Sequence, residues 1–396
     1  MTTPEQLITN SPSIRTKGYE RSFLGEWNPQ GFITVELMKL NLTELKLHLP
    51  IEKYKIIELI INNIKAAISE PNHYKNSYLP QGFEDSEAKG LSEAEFLEYV
   101  LYRYKYNVFP KLKILDDYPP CVQIEPASKC NFRCVMCYQI DKSFSNKSAG
   151  HMGMMSLEMF KNIVDELEGN VHAVTMASRG EPTLNPHLSE MLEYAGNKFL
   201  GFKMNTNASL LTEKMCHSIL SSGLKTLVFS ADAADKESYE RIRVNGKFES
   251  VYKNIARFQK IRLEQYPHSQ LQTKVSGVKI SDINQDFDQM VEFWKDHVDE
   301  VAFVHYNPWQ SAYENEINEI VTPCTELWRR MFIWQNGDVN PCDYDYKTTI
   351  FSGMTPNIKN ISISQIWRSE LYQELRNNHL NKNRKLIEPC KRCISC

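Results

Sequence analysis

Residues 125–138 read EPASKCNFRCVMCY and place Cys130, Cys134 and Cys137 in a C-x3-C-x2-C pattern. Three thiolates can hold three irons of a [4Fe–4S] cluster and leave the fourth iron open, whereas a cluster with four thiolates mainly carries electrons. Structural zinc usually takes four ligands in C-x2-C pairs, which this spacing fits poorly. The pattern therefore predicts chemistry at an iron–sulfur cluster. A zinc knot, a disulfide cluster and scattered buried thiols are the alternatives.

Length and composition are those of an ordinary globular protein. The chain has 396 residues, enough for two or three compact units, and 42% of them are hydrophobic. Its formal net charge of −3 gives no general attraction to nucleic acid or to anionic membranes, so we expect neither as a partner. We find no signal-peptide pattern and no long uncharged apolar span. Most of the ten cysteines fall into two metal-like groups, which is typical of a reducing compartment, and we expect a cytoplasmic protein.

The region from Cys121 to about Pro308 alternates short apolar runs with amphipathic stretches. Six runs are predicted as strands, at residues 122–125, 172–176, 201–206, 226–230, 273–278 and 301–304. Helices are predicted between them at residues 156–168, 188–197, 212–222, 251–265 and 287–295, with Ser156 as an N-cap and Gly223 closing the third helix. Six β/α units predict an α/β fold with a parallel sheet and helices outside it.

Polar clusters follow the carboxyl ends of the first four predicted strands. The cysteines follow the first strand, and residues 178–182, SRGEP, follow the second. Residues 205–207, NTN, end the third strand, and residues 230–232, SAD, end the fourth. In β/α barrels the loops after the carboxyl ends of the strands carry the functional residues. This placement indicates a functional site at that end of the sheet.

The cysteine run and the strand-end clusters together resemble the radical S-adenosylmethionine (radical SAM) enzymes, over roughly half the chain. The resemblance implies a partial (β/α)6 barrel of the TIM type, in which the open iron chelates the amino and carboxylate groups of S-adenosylmethionine. Reductive cleavage of that cofactor gives a 5′-deoxyadenosyl radical, which abstracts a hydrogen atom from the substrate. Cys130, Cys134 and Cys137 are then the catalytic residues. The family's aromatic position before the third cysteine is Met136 here, and Tyr138 follows that cysteine, so both are candidates for an adenine contact.

The resemblance also assigns cofactor contacts to residues at the strand ends. Gly180 and Glu181 match a Gly-Gly-Glu-like motif that meets the methionine amino group, although Arg179 replaces the first glycine. A carboxylate suits an ammonium group, but Glu181 could instead only cap the following helix. Asn207 matches a strand-end asparagine of the family, with Ala208 in place of the glycine that follows it. Ser230 and Asp232 match residues that bind ribose hydroxyls or the methionine carboxylate, and Arg243 matches an arginine that pairs with that carboxylate. Val278 lies in the strand that packs against adenine in the family. Turn, cap, surface or core roles are the alternatives.

A second cysteine group lies near the end of the chain. An apolar strand, the pair Asn336-Gly337 and a short second strand predict a hairpin there. A helix is predicted from Ile363 to Glu374 or Leu375, before a C-x2-C pair. The group comprises Cys324, Cys342, Cys390, Cys393 and Cys396.

This second group resembles the auxiliary-cluster extensions called SPASM and twitch domains. The twitch form, with one auxiliary [4Fe–4S] cluster, is the closer, because the later cysteines of the full SPASM form are missing. The resemblance implies Cys324, Cys342, Cys390 and Cys393 as ligands, with Cys396 as a substitute ligand or a free thiol. Four thiolates would make the cluster an electron conduit. A structural zinc site is the alternative.

Three domains are therefore expected. Residues 1–115 form a mainly helical extension of unknown role, residues 116–310 the radical SAM core, and residues 311–396 the auxiliary-cluster domain. In the extension, residues 51–68 have helical apolar spacing and Ser92 caps a second helix. Residues 70–88 are rich in Pro, Asn, Ser and Gly and are predicted as a loop.

The resemblance implies an enzyme that takes electrons from an external donor such as flavodoxin or ferredoxin. The first hypothesis is oxidation or epimerisation of a small molecule, such as a sugar or natural-product precursor. The second is a maturase that crosslinks or epimerises a peptide or protein. The third, from another class, is an iron–sulfur or zinc scaffold without turnover.

Overall fold

The computed structural model of the chain describes residues 19–20, 27–70, 78–280 and 285–394. The chain divides into two compact units. One ends at Leu115; the other begins at Asp116 and also includes the short strand at residues 19–20. No helix among the described ranges is long and apolar enough to cross a membrane.

The first unit is helical. Its described helices are α1 (Phe32–Lys39), α2 (Leu42–His48), α3 (Ile51–Ser69), α4 (Gly82–Ala88) and α5 (Glu93–Leu112). The predicted helix at residues 51–68 is confirmed as α3, which buries Ile57, Ile60 and Ile64 along one face. The predicted cap of α5 is also confirmed, because the Ser92 side chain accepts from the backbone N–H of Glu95.

The predicted loop at residues 70–88 is wrong in its second half, where α4 forms; residues 71–77 lie outside the described residues. Glu84 explains the helix. Its carboxylate accepts from the backbone N–H of Gln81 at 3.0 Å, which completes a capping box, and pairs with Arg103 of α5 at 2.8 Å. A contact from a later helix is not visible in local composition.

The second unit contains a nine-stranded sheet, counted over the described residues. Its order is β1-β7-β6-β5-β4-β3-β2-β8-β9, with β2 to β8 parallel and with β1 and β9 antiparallel at the edges. The predicted α/β fold with a partial TIM-type barrel is confirmed. The strands are β1 (Tyr19–Glu20), β2 (Cys121–Ile124), β3 (Ala173–Met176), β4 (Gly201–Thr206), β5 (Thr226–Ser230), β6 (Gln272–Lys279), β7 (Glu300–His305), β8 (Arg330–Ile333) and β9 (Val339–Asn340).

Helices cover one face of the parallel strands. Alternate strand residues such as Phe202 and Met204 share a core with Phe160 and Phe258 from the helices. The Ser156 hydroxyl caps the first of these long helices, as predicted. The helices of this region are α6 (Lys142–Ser145), α7 (Leu157–Leu167), α8 (Leu188–Ala195), α9 (Glu213–Ser221), α10 (Lys236–Ile242), α11 (Phe248–Gln265) and α12 (Phe287–Trp294).

The C-terminal segment adds to the same sheet. The predicted hairpin is confirmed by antiparallel pairing of β8 with β9, and Gly337 in its turn has φ +90°, a value that favours glycine. The helix predicted from Ile363 onward is wrong as one element, because it is split into α13 (Ile363–Arg368) and α14 (Glu370–Leu380). Ser369 separates them: its backbone is extended and its hydroxyl caps α14 at Tyr372 N.

Candidate active site

The cysteine loop follows β2 and is fastened to the end of α10. The backbone N–H of Arg133 donates to Val244 O at 2.9 Å, and that of Val135 donates to Ile242 O at 3.1 Å. The loop therefore has a fixed path between its first and third cysteines. Cys130 and Cys137 are partly exposed, and Cys134 is buried.

The three thiols of this loop lie within each other's electrostatic influence. Burial first, and then the carboxylate of Glu181, raise the pKa of Cys130 to about 12. Burial first, and then Cys134, raise the pKa of Cys137 to about 12. Burial also raises the pKa of Cys134, against the lowering effect of Arg243. Without a cation the thiols are neutral, so they suit a metal centre that stabilises thiolates.

A cluster of several irons fits this donor set better than a single ion. Over the described ranges, no three His, Cys, Asp or Glu side chains are arranged to hold one metal ion. Neighbouring cysteines nevertheless raise the pKa values of Cys130 and Cys137, so the three thiols lie near one another. Three thiols around one larger centre are the ligand set of a [4Fe–4S] cluster with one open iron.

Gly180 and Glu181 lie against the cysteine loop. The backbone N–H of Glu181 donates to Lys129 O at 2.8 Å. A Cβ atom on Gly180 would stand 2.4 Å from the carbonyl oxygens of both Ala127 and Lys129, so only glycine permits this approach. The predicted match at these positions thus has a steric basis, although the assignment to S-adenosylmethionine stays a prediction.

The Glu181 carboxylate is buried and unequally bonded. Its Oε1 accepts from Thr183 N at 3.1 Å, Thr183 Oγ1 at 2.6 Å and Thr206 Oγ1 at 2.7 Å. Its Oε2 accepts from Asn207 N at 2.7 Å. The capping contact that we gave as an alternative is therefore present. Burial nevertheless raises the pKa of Glu181, against these bonds, so a cation beside Oε2 would stabilise the charge.

Asn207 connects the end of β4 to the cysteine loop. Its Nδ2 donates to Asn131 Oδ1 at 2.9 Å and lies 4.0 Å from Cys130 Sγ. Ala208, which stands where the family has glycine, has φ +60° and so keeps the left-handed backbone at that position. Such a conformation costs a residue with a Cβ atom roughly 1–2 kcal/mol.

Buried Asp232 and partly buried Arg243 form an ion pair beside the second cysteine. The Arg243 Nε donates to Asp232 Oδ2, and its Nη1 lies 3.5 Å from Cys134 Sγ. The Asp232 Oδ1 accepts from the backbone N–H of Val278 at 2.6 Å. The structure therefore brings the predicted residues Asp232, Arg243 and Val278 together. Ser230 ends β5, where it pairs with Ser276 of β6.

Met136 and Tyr138 are both buried, at 8% and 2% exposure. Met136 belongs to the main core, and Tyr138 belongs to a second cluster, in which its ring stacks on Tyr346 with centroids 4.8 Å apart. The Tyr138 hydroxyl donates to Ser178 O at 2.9 Å. An adenine contact from either side chain stays a prediction.

The second cysteine group is held mainly through its backbone. Buried Arg384 donates through Nε to Cys390 O at 2.9 Å and also donates to Cys393 O. Asn340 Nδ2 donates to Cys342 O at 2.6 Å. Burial first, and then neighbouring cysteines, raise the pKa values of Cys342 and Cys390 well above normal. Since Cys324 and Cys393 are among those neighbours, the four thiols fit one cluster. Cys396 lies outside the described residues.

One aromatic cluster connects the two cysteine groups. Its buried members include Tyr138, Tyr344 and Tyr346. Cys137 of the first group packs against this cluster, which also includes Cys393 and contacts Cys342 of the second group. This connection could not be predicted from the sequence, because no local signal links the tyrosines after Cys342 to the one after Cys137.

A buried ion pair between Glu125 and Arg179 was also missed. Arg179 Nε donates to Glu125 Oε2 and Arg179 Nη2 donates to Glu125 Oε1, both at 2.7 Å. The available signal was a charged residue shortly after each of two buried strands, one position after β2 and three positions after β3. In the sequence, Arg179 stood out only as a departure from a glycine.

Comparison with known proteins agrees with this geometry. A model of the radical SAM superfamily matches residues 124–290, and a model of the SPASM iron–sulfur cluster-binding domain matches residues 324–394. The chain contains a radical SAM domain, followed by a C-terminal SPASM domain. Such domains carry a [4Fe–4S] cluster with S-adenosylmethionine and auxiliary iron–sulfur binding, as predicted. The narrower twitch form, with one auxiliary cluster, stays a prediction.

Sequence relatives match only part of this chain. The AdoMet-dependent heme synthase of Methanosarcina barkeri is 26% identical over 175 residues, which are 44% of this chain and 48% of that protein. The mycofactocin maturase MftC of Mycobacterium tuberculosis is 29% identical over 133 residues, which are 34% of this chain and 32% of that protein. The chain thus spans less than half the length of either relative.

A solved structure shares the fold over most of the chain. Streptococcus suis SuiB bound to the precursor peptide SuiA has a TM-score of 0.56 at 15% identity, and the match covers 88% of this chain and 93% of that one. SuiB bound to S-adenosylmethionine has a TM-score of 0.50 at 16% identity. At these identities the likeness shows the fold alone.

Proposed function

We propose that this radical SAM protein oxidises its substrate by removing a hydrogen atom and then an electron. The supporting observation is the aromatic cluster that contacts both Cys137 of the first cysteine group and Cys342 of the second. When bound, the cofactors supply a 5′-deoxyadenosyl radical at the first site and an electron acceptor at the second. The substrate would lose one hydrogen atom to that radical, then one electron to the auxiliary site and one proton to solvent.

Glu181 is the proposed partner of the methionine amino group of S-adenosylmethionine. Its Oε2 accepts one hydrogen bond from protein, so it keeps capacity for an ammonium donor. The carboxylate is 3% exposed, and a charge-assisted bond in such surroundings is stronger than one in water. Gly180 holds Glu181 against the cysteine loop through its close approach to Ala127 and Lys129.

Arg243 is the proposed partner of the methionine carboxylate. A guanidinium group has five N–H donors, and the contacts to Asp232 and Cys134 use only its Nε and Nη1. Asp232 neutralises part of the charge and fixes the plane of the group. We propose further contacts to the cofactor from Asn207, Ser230 and Val278. Met136 and Tyr138 are the proposed neighbours of its adenine ring.

Oxidation is favoured over epimerisation by the positions of the cysteines. Epimerisation requires a hydrogen donor, typically a thiol, near the substrate radical. Among the described cysteines, those outside the two groups are Cys121, at the amino end of β2, and Cys216, on the outer helix α9. Neither is at the carboxyl end of the strands, where the candidate site lies.

The substrate class has two candidates. A small molecule, such as a sugar or natural-product precursor, is the first. A peptide is the second, and it is supported by sequence similarity to a mycofactocin maturase and by fold similarity to SuiB bound to a precursor peptide. The proposed electron source is an external one-electron donor of the flavodoxin or ferredoxin class. The proposed location is the cytoplasm, because cysteines arranged for metal binding are typical of a reducing compartment.

Iron content and cofactor cleavage test this function. We would purify the parent protein and the variant Cys130→Ala/Cys134→Ala/Cys137→Ala without oxygen, and measure iron, zinc, sulfide and 5′-deoxyadenosine after reduction. We expect about eight irons per parent chain and about four in the variant, with cleavage lost. A Cys121→Ala/Cys216→Ala variant is the control and should keep both iron and cleavage.

Each other outcome has a defined meaning. Zinc in place of the second four irons would remove the electron acceptor and with it the proposed oxidation. A parent protein with no iron, or with iron and no cleavage, would support the scaffold alternative and contradict the enzyme.

A further inference from the structure

Arg179 occupies the place of a family glycine, yet it does not have the positive φ that favours glycine. Its side chain is turned inward and is only 3% exposed. The two parallel bonds to Glu125 use the planar fork of the guanidinium, which lysine cannot reproduce. The buried side chain of Arg179 therefore neutralises Glu125 and holds its carboxylate in place.

Arg179 and Glu125 also contact the C-terminal segment. Arg179 Nη1 donates to Tyr346 O at 2.9 Å, and the guanidinium lies over the Trp334 ring at 4.0 Å. The Glu125 Oε1 also accepts from the backbone N–H of Gln335 at 3.1 Å. The ion pair thus joins the ends of β2 and β3 to the turn of the β8–β9 hairpin and to Tyr346, which follows β9.

The loop that carries Glu181 begins at this pair. The backbone oxygen of Arg179 accepts from the Gln139 side chain, and the oxygen of Ser178 accepts from the Tyr138 hydroxyl at 2.9 Å. Two residues after Arg179, the backbone N–H of Glu181 donates to Lys129 O. Arg179 is consequently the point at which the C-terminal segment contacts the loop of the proposed cofactor acid.

We propose that Arg179 is a positioning residue that uses the C-terminal segment to set the place of Glu181, and thereby the affinity for S-adenosylmethionine. The inference rests on the proposed function, because it takes Glu181 as the partner of the methionine amino group. Arg179 acts through Glu181 and need not touch the cofactor. A loss of its contacts would let the loop shift and weaken cofactor binding without removing any cluster ligand.

The variants separate positioning from simple stability. Arg179→Met removes the charge and the fork, and Arg179→Lys keeps the charge but loses the fork. Arg179→Met alone leaves Glu125 as an unpaired buried charge, whereas Arg179→Met/Glu125→Met removes both charges. The double variant should therefore recover stability without recovering the position of the loop.

Arg376→Lys is the matched control. Arg376 is also buried, at 4% exposure, donates to Leu327 O and Trp367 O at 3.0 and 2.9 Å, and lies over the Trp367 ring at 4.2 Å. It resembles Arg179 in burial, in carbonyl bonding and in its aromatic neighbour. None of those contacts involves the loop of Glu181.

The measurement is the dissociation constant of S-adenosylmethionine for the oxidised, cluster-loaded protein, by anaerobic calorimetry, with iron content and the unfolding midpoint recorded for each variant. We expect at least about tenfold weaker binding for Arg179→Met and for the double variant, and an intermediate loss for Arg179→Lys, at unchanged iron content. Arg376→Lys should lower the unfolding midpoint and leave the dissociation constant within about twofold.

Unchanged binding in the double variant with full iron content would overturn the proposal. If Arg179→Met does not fold, Arg179→Lys carries the same test, and parent-like binding in that variant would overturn the proposal equally. A loss in Arg376→Lys as large as in Arg179→Lys would also overturn it, since any buried arginine would then suffice. Failure of the proposed function is distinguishable, because the parent protein itself would then not cleave S-adenosylmethionine or would hold zinc at its second site.

Discussion

The rings of Tyr138 and Tyr346 stack with centroids 4.8 Å apart and an interplanar angle of 23°. Tyr138 follows the third cysteine of the radical SAM loop, and Tyr346 lies shortly after Cys342 of the SPASM domain. A polar contact supports the stack, because the Tyr346 hydroxyl donates to Asp141 Oδ2 at 2.8 Å. The two cysteine-bearing segments are therefore packed together directly by side chains that lie close to their cysteines in the sequence.

Shortening Tyr346 is expected to loosen this contact. Tyr346→Phe keeps the stack and loses the bond to a carboxylate, which we expect to lower the free energy of unfolding by about 1–2 kcal/mol. Tyr346→Leu also loses the ring, for a total of about 3–5 kcal/mol. Denaturant unfolding of the loaded protein, followed by tryptophan fluorescence, measures both values. Equal stability of the two variants would show that the stack contributes nothing.

Several strand-end residues could be predicted from the sequence because they follow regular alternation. In a parallel sheet all carboxyl ends lie on one side, so Gly180, Asn207 and Asp232 were expected near the cysteines. The structure brings Asn207 to within 4.0 Å of Cys130 Sγ and bonds Glu181 to the backbone N–H of Asn207. The alternation of strands and helices and the topology of a parallel sheet were sufficient to predict this part of the candidate site.

Contacts between distant, irregular segments could not be predicted in the same way. Glu125 and Arg179 are separated by 54 positions, and each looks like an ordinary polar residue after a strand. Their pairing depends on β2 and β3 lying side by side and on Trp334 covering the guanidinium. Ser369 likewise breaks a helix through its own cap, which apolar periodicity across α13 and α14 conceals.

Replacing the acid of the cofactor loop should weaken binding without loss of iron. Glu181→Gln keeps an oxygen for the N–H of Thr183 and loses the negative charge. A charge-assisted bond contributes about 1.5–3 kcal/mol, so we expect the dissociation constant of S-adenosylmethionine to rise roughly 10- to 100-fold. The control is Glu190→Gln, on the exposed surface of α8. Unaltered binding in Glu181→Gln would leave the carboxylate with its capping role alone.

Removing the second cysteine pair should affect only the second site. Cys390→Ala/Cys393→Ala takes away two of four proposed ligands, so we expect iron to fall from about eight to about four per chain. The first three cysteines are untouched, and S-adenosylmethionine should still be cleaved. Iron analysis and quantification of 5′-deoxyadenosine check both statements. Loss of all iron would mean that the two sites do not assemble independently.

Ala208 offers a test of backbone strain beside the first cysteine. Its φ of +60° is costly for alanine and free for glycine, and its neighbour Asn207 contacts both Asn131 and Cys130. Ala208→Gly relieves about 1–2 kcal/mol of strain, but it gives the unfolded chain more freedom and removes a fully buried methyl group, so we expect stability to change by less than about 0.5 kcal/mol. Ala66→Gly, in the exposed face of α3, is the opposite control and should cost about 1 kcal/mol. Parallel denaturant titrations of the two variants decide the matter, because a loss of more than about 1 kcal/mol in Ala208→Gly would mean that the left-handed conformation there is not strained.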